Sequence, residues 1–358
     1  MHHTYNSELK RCKKCLLPET YPAVGFDEEG VCSYCRNHSK RELFGEERFL
    51  DLIGSARGRD YDCLVGISGG KDSCYVAYLA KKTYGFRVLA VCYDFPFLVD
   101  LARANIRSVC DTLGIDLVTV TSKGNLEYRL LQNHFKSVAA TGTSWGQCIF
   151  CHYGIEAILH REALERGIPF ILGGITKYEL WNLCSRAKLL LRRVKKLPLP
   201  DQMNFVHYQL KAYSLLVEQR RQFRIPGNNL FDVYRRANSP LNGPQGINVF
   251  DYLPWEQNAI EETLIRETGW VRPERSVSWR YDCVLEPFLD YTYKKEFGIS
   301  TVGLYLSHMI RDGLMNRADA LETLLRMEHN DFIRDKLKPV LDYLRLPESL
   351  QEKFFKTL

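Results

Sequence analysis

Two groups of residues in this sequence have the types and spacing of working chemistry. The first is Ser68-Gly69-Gly70-Lys71-Asp72-Ser73, set between the apolar run "DCLVGI" and a stretch with helical spacing. Small residues between a strand and a helix let backbone N–H groups approach an anion at the helix N-terminus. Ser68, Gly69 and Gly70 permit that approach, Lys71 adds a positive charge, and Ser68 and Ser73 add hydroxyl donors. The second group is three Cys-x-x-Cys pairs, Cys12/Cys15, Cys32/Cys35 and Cys148/Cys151, which take six of the twelve cysteines. That format belongs to metal sites in reducing compartments; disulfide-dense scaffolds are small and secreted.

Spacing rules out the two common phosphate loops. A Walker loop places four residues between its glycines and Ser or Thr after its lysine. Here three residues separate Gly66 from Gly70, and Asp72 follows Lys71. A dinucleotide fingerprint needs Gly-x-Gly, which this loop lacks. The cysteine pairs divide in a similar way. Cys12/Cys15 and Cys32/Cys35 stand sixteen residues apart, a spacing that suits one tetrahedral zinc with four thiolates. The stretch between them, "LLPETYPAVGFDEEGV", offers little core, so the metal would supply the stability. Cys148/Cys151 instead opens a helix, where thiol pKa falls. It is compatible with a second zinc site, a redox dithiol or ligation of an iron–sulfur cluster. Cys63, Cys74, Cys92 and Cys110 lie on expected strands and helices and read as core.

The elements that must position these residues alternate regularly. The runs "YDCLVGIS", "RVLAVCY", "DLVTV" and "PFILGGI" read as buried strands, and the segments between them have helical spacing and close at Gly85, Gly114 and Gly167. This predicts an α/β fold with a doubly wound parallel sheet. Ligands of such sheets bind at the carboxyl edge. The edge residues are Asp94 after the second strand and Gly173, Gly174, Thr176 and Glu179 after the fourth, with Lys177 and His152 nearby. Glu179 could hold magnesium or act as a base, or simply start a surface helix. The expected division is a zinc-binding module over 1–45, a nucleotide-binding domain over 46–182, a basic helical and loop insertion over 183–258, and a helical region over 259–358. Residues 225–258, rich in Pro, Gly and Asn, read as loop.

With 358 residues and 45% hydrophobic content, the chain can bury a sizeable core. No apolar run reaches the length of a membrane span, and the start lacks a signal-peptide core. A cytoplasmic protein without membrane insertion is expected, and a homodimer is compatible with the sequence. The net charge of +6 is uneven. Ten Lys/Arg against two acids between Arg186 and Arg224 make a local patch that could meet nucleic acid, a phosphorylated substrate or an acidic partner. It could equally be the solvated face of two helices.

Ser-Gly-Gly-Lys-Asp-Ser after a first strand resembles the PP-loop of the N-type ATP pyrophosphatases. The resemblance implies a HUP-like sheet that binds ATP through Gly66, Ser68, Gly69, Gly70, Lys71, Asp72, Ser73, Asp94, Gly173 and Gly174. It further implies that pyrophosphate leaves while AMP passes to a substrate oxygen, with Lys71, Asp72 and Glu179 as catalytic residues and Mg2+ near Asp72. Over most of its length the chain resembles the N-acetyl sugar amidotransferases of surface-polysaccharide synthesis. The likeness is carried by the cysteine quartet, "SGGKDS", "CIFCHYGI", "FDYLPWEQNAIEETLIRETGW" and "YKKEFGISTVGLYLSHMIRDGLMNRADAL". It implies adenylation of an acetamido oxygen, with ammonia from a separate glutaminase subunit. The chain departs from that family at "GGIT" and "SVSWRYDCVLEP". The second of these carries Cys283, which is similar to the sulfur-inserting branch of the superfamily. There a Cys-x-x-Cys pair and a third cysteine hold a [4Fe-4S] cluster and the acceptor is RNA or a small molecule. On that branch the ligands would be Cys148, Cys151 and Cys283, with Cys184 as the other choice for the third.

Overall fold

The computed structural model describes residues 9–40, 42–54, 60–141, 149–176, 194–223, 243–273, 282–328 and 333–357. Cys148, Lys177, Glu179, Cys184 and, from the basic stretch, residues 186–193 and Arg224 lie outside the described residues.

Five parallel strands form the central sheet: β1 (Cys63–Gly66), β2 (Val88–Tyr93), β3 (Asp116–Val120), β4 (Phe170–Gly173) and β5 (Gln245–Asn248), in the order β3-β2-β1-β4-β5. Strand periodicity of two splits the buried residues between two faces. Cys63, Val65, Val88, Ala90 and Cys92 enter a core completed by α1 (Glu46–Gly54), α2 (Lys71–Tyr78), α3 (Asp100–Leu113) and α7 (Gln257–Thr268). Leu64, Leu89, Val91 and Tyr93 face the opposite way, against Ala157, Ile158 and Leu159 of α5 (Ile149–Glu165). Between β3 and α5 lies α4 (Leu126–Thr141), and α6 (Leu199–Gln222) packs beside α4, where Asn133 donates to the Tyr208 carbonyl at 2.9 Å.

Strands covered on both faces need apolar residues at nearly every position, which is why β1, β2 and β4 read as unbroken apolar runs; β3, expected to be buried as well, is an edge strand whose Asp116 and Thr119 are exposed. The fifth carries no such run. Gln-Gly-Ile-Asn buries only Ile247 well, yet it pairs with β4 in the register Leu172↔Ile247, using an edge that β4 would otherwise leave open. The stretch expected as loop therefore completes the sheet.

Beyond the sheet the chain is helical: α8 (Glu286–Phe297), α9 (Thr301–Arg311), α10 (Arg317–Glu328), α11 (Ile333–Tyr343) and α12 (Glu348–Thr357). The hairpin of α9 and α10 turns at Gly313, whose φ of +74° suits glycine. The N-terminal cysteines do not keep a core of their own. Cys12, Cys15, Cys32 and Cys35 share one buried cluster with Phe297, Ile299, Val302, Leu306 and Leu324. A second helical cluster joins Phe135 of α4 to Phe288 of α8 and Phe354 of α12.

Candidate functional site

The strand order places the change of winding direction between β1 and β4, where a crevice opens at the carboxyl edge. Ser68–Ser73 follows β1 and Gly174 follows β4, and both border a cavity of about 380 Å³ there. The glycines have separate reasons. Gly69 has φ +79°, and a Cβ on it would stand 2.2 Å from the Ala102 carbonyl oxygen of α3. Its own carbonyl accepts from Trp270 Nε1 at 3.0 Å. A Cβ on Gly174 would meet the Asp72 carbonyl oxygen at 3.0 Å, so the loop after β4 can pack on the first turn of α2 because Gly174 carries no side chain. Ser73 Oγ accepts from the Ser68 backbone N–H at 3.1 Å and donates to the Gly70 carbonyl at 3.2 Å, which closes the loop onto the first turn of α2. A closed small-residue loop ahead of a helix N-terminus is suited to hold phosphate oxygens.

Lys71 and Asp72 form a tight unit at this turn. Lys71 Nζ donates to Asp72 Oδ2 at 2.8 Å and sits over the Trp255 ring at 5.5 Å, while Trp255 Nε1 donates to Asp72 Oδ1 at 2.6 Å. Both Asp72 oxygens are thus engaged by protein groups. Lys71 is buried, so its charge is held by pairing with Asp72 and by the ring face.

Of the residues expected at the nucleotide, Gly66, Ser68, Gly70, Lys71, Asp72, Ser73, Gly173 and Gly174 line this cavity, and Gly69 braces it from behind. Asp94 is not among the residues lining it. Its carboxylate accepts from Arg103 Nε at 2.8 Å, and the same guanidinium donates to the carbonyls of Leu98 and Phe95, so Asp94 fixes the loop after β2. At the far end lie Glu156 and His160, 4.0 Å apart on successive turns of α5. Burial raises the Glu156 carboxyl and lowers the His160 imidazole from their ordinary values, moving both toward neutral, hydrogen-bonding forms. Such a pair suits the polar edges of a base or ribose better than phosphate.

A smaller cavity of about 110 Å³ adjoins the first and is mostly apolar, with Val91, Tyr93, Phe95, Leu98, Ile155 and Leu289 in its wall. Cys151 from α5 and Cys283, just before α8, both line it, together with Asp282 and Glu286. The segment carrying Cys283 is strapped across the loop after β2. The Val99 N–H donates to the Asp282 carbonyl at 3.1 Å, the Val284 N–H donates to the Phe97 carbonyl at 3.0 Å, and Leu98 and Cys283 form an antiparallel bridge. The structure therefore brings Cys151 and Cys283 to one cavity beside the Ser68–Ser73 loop. Sequence reasoning missed Asp282, Glu286, Trp255 and the Glu156–His160 pair. Nothing local marks Trp255 or Asp282, whose partners lie far away in the chain.

The N-terminal quartet is of a different kind. The Cys12 and Cys35 sulfurs lie 3.8 Å apart and those of Cys15 and Cys32 3.7 Å apart, and all four fall within 4.8 Å of one another. A single tetrahedral ion with metal–sulfur bonds of about 2.3 Å sets its ligand sulfurs about 3.8 Å apart. A cubane cluster with one thiolate on each iron would hold them much further apart. Three backbone N–H groups, of Lys14, Cys15 and Cys32, donate to Cys12 Sγ at 3.3 Å. Arg311 Nη1 donates to Cys15 Sγ at 3.6 Å. Hydrogen bonding from Cys15 pulls the Cys32 thiol down, while the bond with Cys32 pushes Cys15 up, with Cys35 and burial adding to the rise. Four cysteine sulfurs this close have the number, type and spacing of the ligands of one tetrahedral ion. The remaining core cysteines are inert by comparison: burial pushes Cys92 and Cys110 up to about 12 and raises Cys74 further.

No model of a known protein family matches the chain. Among solved structures it is similar to the U34-tRNA thiolase NcsA from Methanococcus maripaludis with its [4Fe-4S] cluster, at 17% identity over 88% of each chain and a TM-score of 0.35. At that score the likeness carries no argument about this chain's chemistry.

Proposed function

We propose that this chain is an ATP-dependent enzyme that forms AMP and pyrophosphate while activating a substrate oxygen. The triphosphate would lie in the larger cavity, its leaving phosphates on the Ser68–Ser73 amides and Lys71, its base toward Glu156 and His160. The acceptor oxygen attacks the α-phosphorus and pyrophosphate departs with the bonding electrons. A nucleophile then attacks the activated carbon and AMP leaves with the oxygen. Positioning and charge stabilisation are the protein's share of this work.

The observation that carries the reading of the second step is the meeting of Cys151 and Cys283 in a cavity that shares Gly66 and Ser68 with the phosphate site. Thiols at the acceptor side favour sulfur as the incoming atom. The donor set, two thiols on an apolar wall with Cys148 three residues before Cys151, fits the ligands of a [4Fe-4S] cluster in type. A cluster bound there would supply an iron to hold incoming sulfide. Nitrogen insertion on an N-acetylated sugar is the second reading. It is favoured because "FDYLPWEQNAIEETLIRETGW", a stretch that carries the amidotransferase resemblance, supplies both Trp255 and Trp270 to the loop. For the quartet we assign one zinc ion with a structural role, on the sulfur spacing.

Anaerobic purification followed by iron and acid-labile sulfide analysis, beside Cys283→Ala, separates the two. Iron and sulfide that are lost in the variant are expected, together with AMP release that depends on a sulfur donor. Iron-free protein whose AMP release depends on ammonia and an N-acetylated sugar overturns the sulfur reading in favour of nitrogen. Lys71→Ala should lower AMP formation by about 100-fold or more without unfolding the protein.

A further inference from the structure

Among the described residues the charges lining the larger cavity do not balance a bound triphosphate. Their lysine and arginine contribution is Lys71 alone, against the carboxylates of Asp72 and Asp282, with Glu156 moved toward its neutral form by burial. Lys71 is already paired with Asp72 at 2.8 Å. A triphosphate carries several negative charges, so a divalent cation must enter with it. The resemblance to PP-loop enzymes places that cation near Asp72, but the structure gives Asp72 another task. Its two oxygens are engaged by Trp255 and Lys71, which makes it the group that orients the lysine.

Asp282 is placed differently. It borders both cavities, on the line between the phosphate loop and the Cys151/Cys283 wall. Its Oδ2 lies 4.0 Å from where a Cβ on Gly70 would stand, directly against the loop that would hold phosphate. Its backbone is held by the Val99 hydrogen bond and the bridge beside it, which keeps Asp282 against the loop after β2. A carboxylate fixed at a phosphate cradle repels the bare ligand and becomes favourable once a hard cation lies between them. Magnesium is bound in this way, by one or two carboxylates plus the substrate's own phosphates, with waters filling the remaining positions.

We propose that Asp282, and not Asp72, is the carboxylate that ligates the Mg2+ accompanying the nucleotide. Asp282 lines both cavities, so a Mg2+ held there would supply positive charge between the Ser68–Ser73 loop and the Cys151/Cys283 wall. This rests on the ATP reading above and goes beyond it by assigning a ligand that the loop motif does not contain.

The test uses the full chain, a non-cleavable α,β-methylene analogue of ATP, and Mn2+ as a spectroscopic stand-in read by electron paramagnetic resonance. Asp282→Asn should weaken Mn2+ binding to the analogue-bound protein by about tenfold or more. The same variant should bind the metal-free analogue at least as tightly as wild type, because a repelling charge has gone. This opposite movement of the two affinities is something a merely structural defect would not produce. Asp72→Asn should change Mn2+ affinity by less than about twofold, even where the displaced Lys71 weakens the analogue itself. An unchanged Mn2+ affinity in Asp282→Asn, or its loss in Asp72→Asn, overturns the assignment. A wild-type chain that binds no analogue overturns the ATP reading and this inference together. Asp282→Ser serves as the second variant, with the same expectations, if the asparagine protein does not fold.

Discussion

The N-terminal quartet and the Cys151/Cys283 pair are built from the same residue and face opposite ways. The quartet is almost fully buried, its sulfurs are within van der Waals reach of one another, and backbone N–H groups and Arg311 converge on them. The pair is half-buried, comes from two distant parts of the chain, and shares a cavity wall with Asp282 and Glu286. A metal site with every position filled by protein can hold a fold together but has no room for a substrate. Thiols on a cavity wall leave room for one. The difference teaches that cysteine count and Cys-x-x-Cys spacing do not assign a role; the role follows from what else is packed around the sulfurs.

The largest effect that would sharpen the contrast comes from Cys15→Ser. It replaces one of the four clustered sulfurs, which is also the acceptor of the Arg311 bond, with a smaller hydroxyl and so weakens the contact of a buried guanidinium. Loss of about one metal ion per chain and destabilisation by more than about 4 kcal/mol are expected, measured by metal analysis and denaturant unfolding. If the variant keeps its metal, the quartet is not one closed site. Cys283→Ala comes next. Stability should fall by less than about 1.5 kcal/mol, because a half-buried side chain is shortened, while the quartet keeps its metal. A collapse as severe as that of Cys15→Ser would mean that the pair, too, is structural. Smallest is Ser307→Ala. It removes the acceptor for the Leu16 N–H at 3.3 Å and should cost about 1 to 2 kcal/mol in unfolding experiments, with metal content unchanged.

Much of this architecture is legible in the residues. β1, β2 and β4 announce themselves as apolar runs because helices cover both faces of the sheet there, and the loop after β1 reads as an anion cradle from local spacing alone. The spacing of Cys12, Cys15, Cys32 and Cys35 likewise foretells the cluster. What stays hidden depends on distance along the chain. β5 is short and half polar, and it is a strand only because β4 offers it an edge. Trp255 acts on Asp72 across 183 residues, and Trp270 on Gly69 across 201. No window of sequence links those partners. Asp94 shows the converse: its position after β2 suggests a ligand contact, and only the neighbouring Arg103 reveals that its carboxylate is already in use.

The bond between Cys15 and Arg311 spans 296 residues. During translation at about 5 to 20 residues per second, the cysteines therefore wait roughly 15 to 60 seconds before the helices they pack against exist. A thiol quartet exposed for that long can be oxidised, or capture the wrong ion, before its lid arrives. Its own backbone N–H···S bonds involve residues 12 to 32 only, so metal capture can come early and docking late. The quartet thus closes onto helices made 296 residues later, and a chain that stalls before α9 is made leaves the four thiols uncovered.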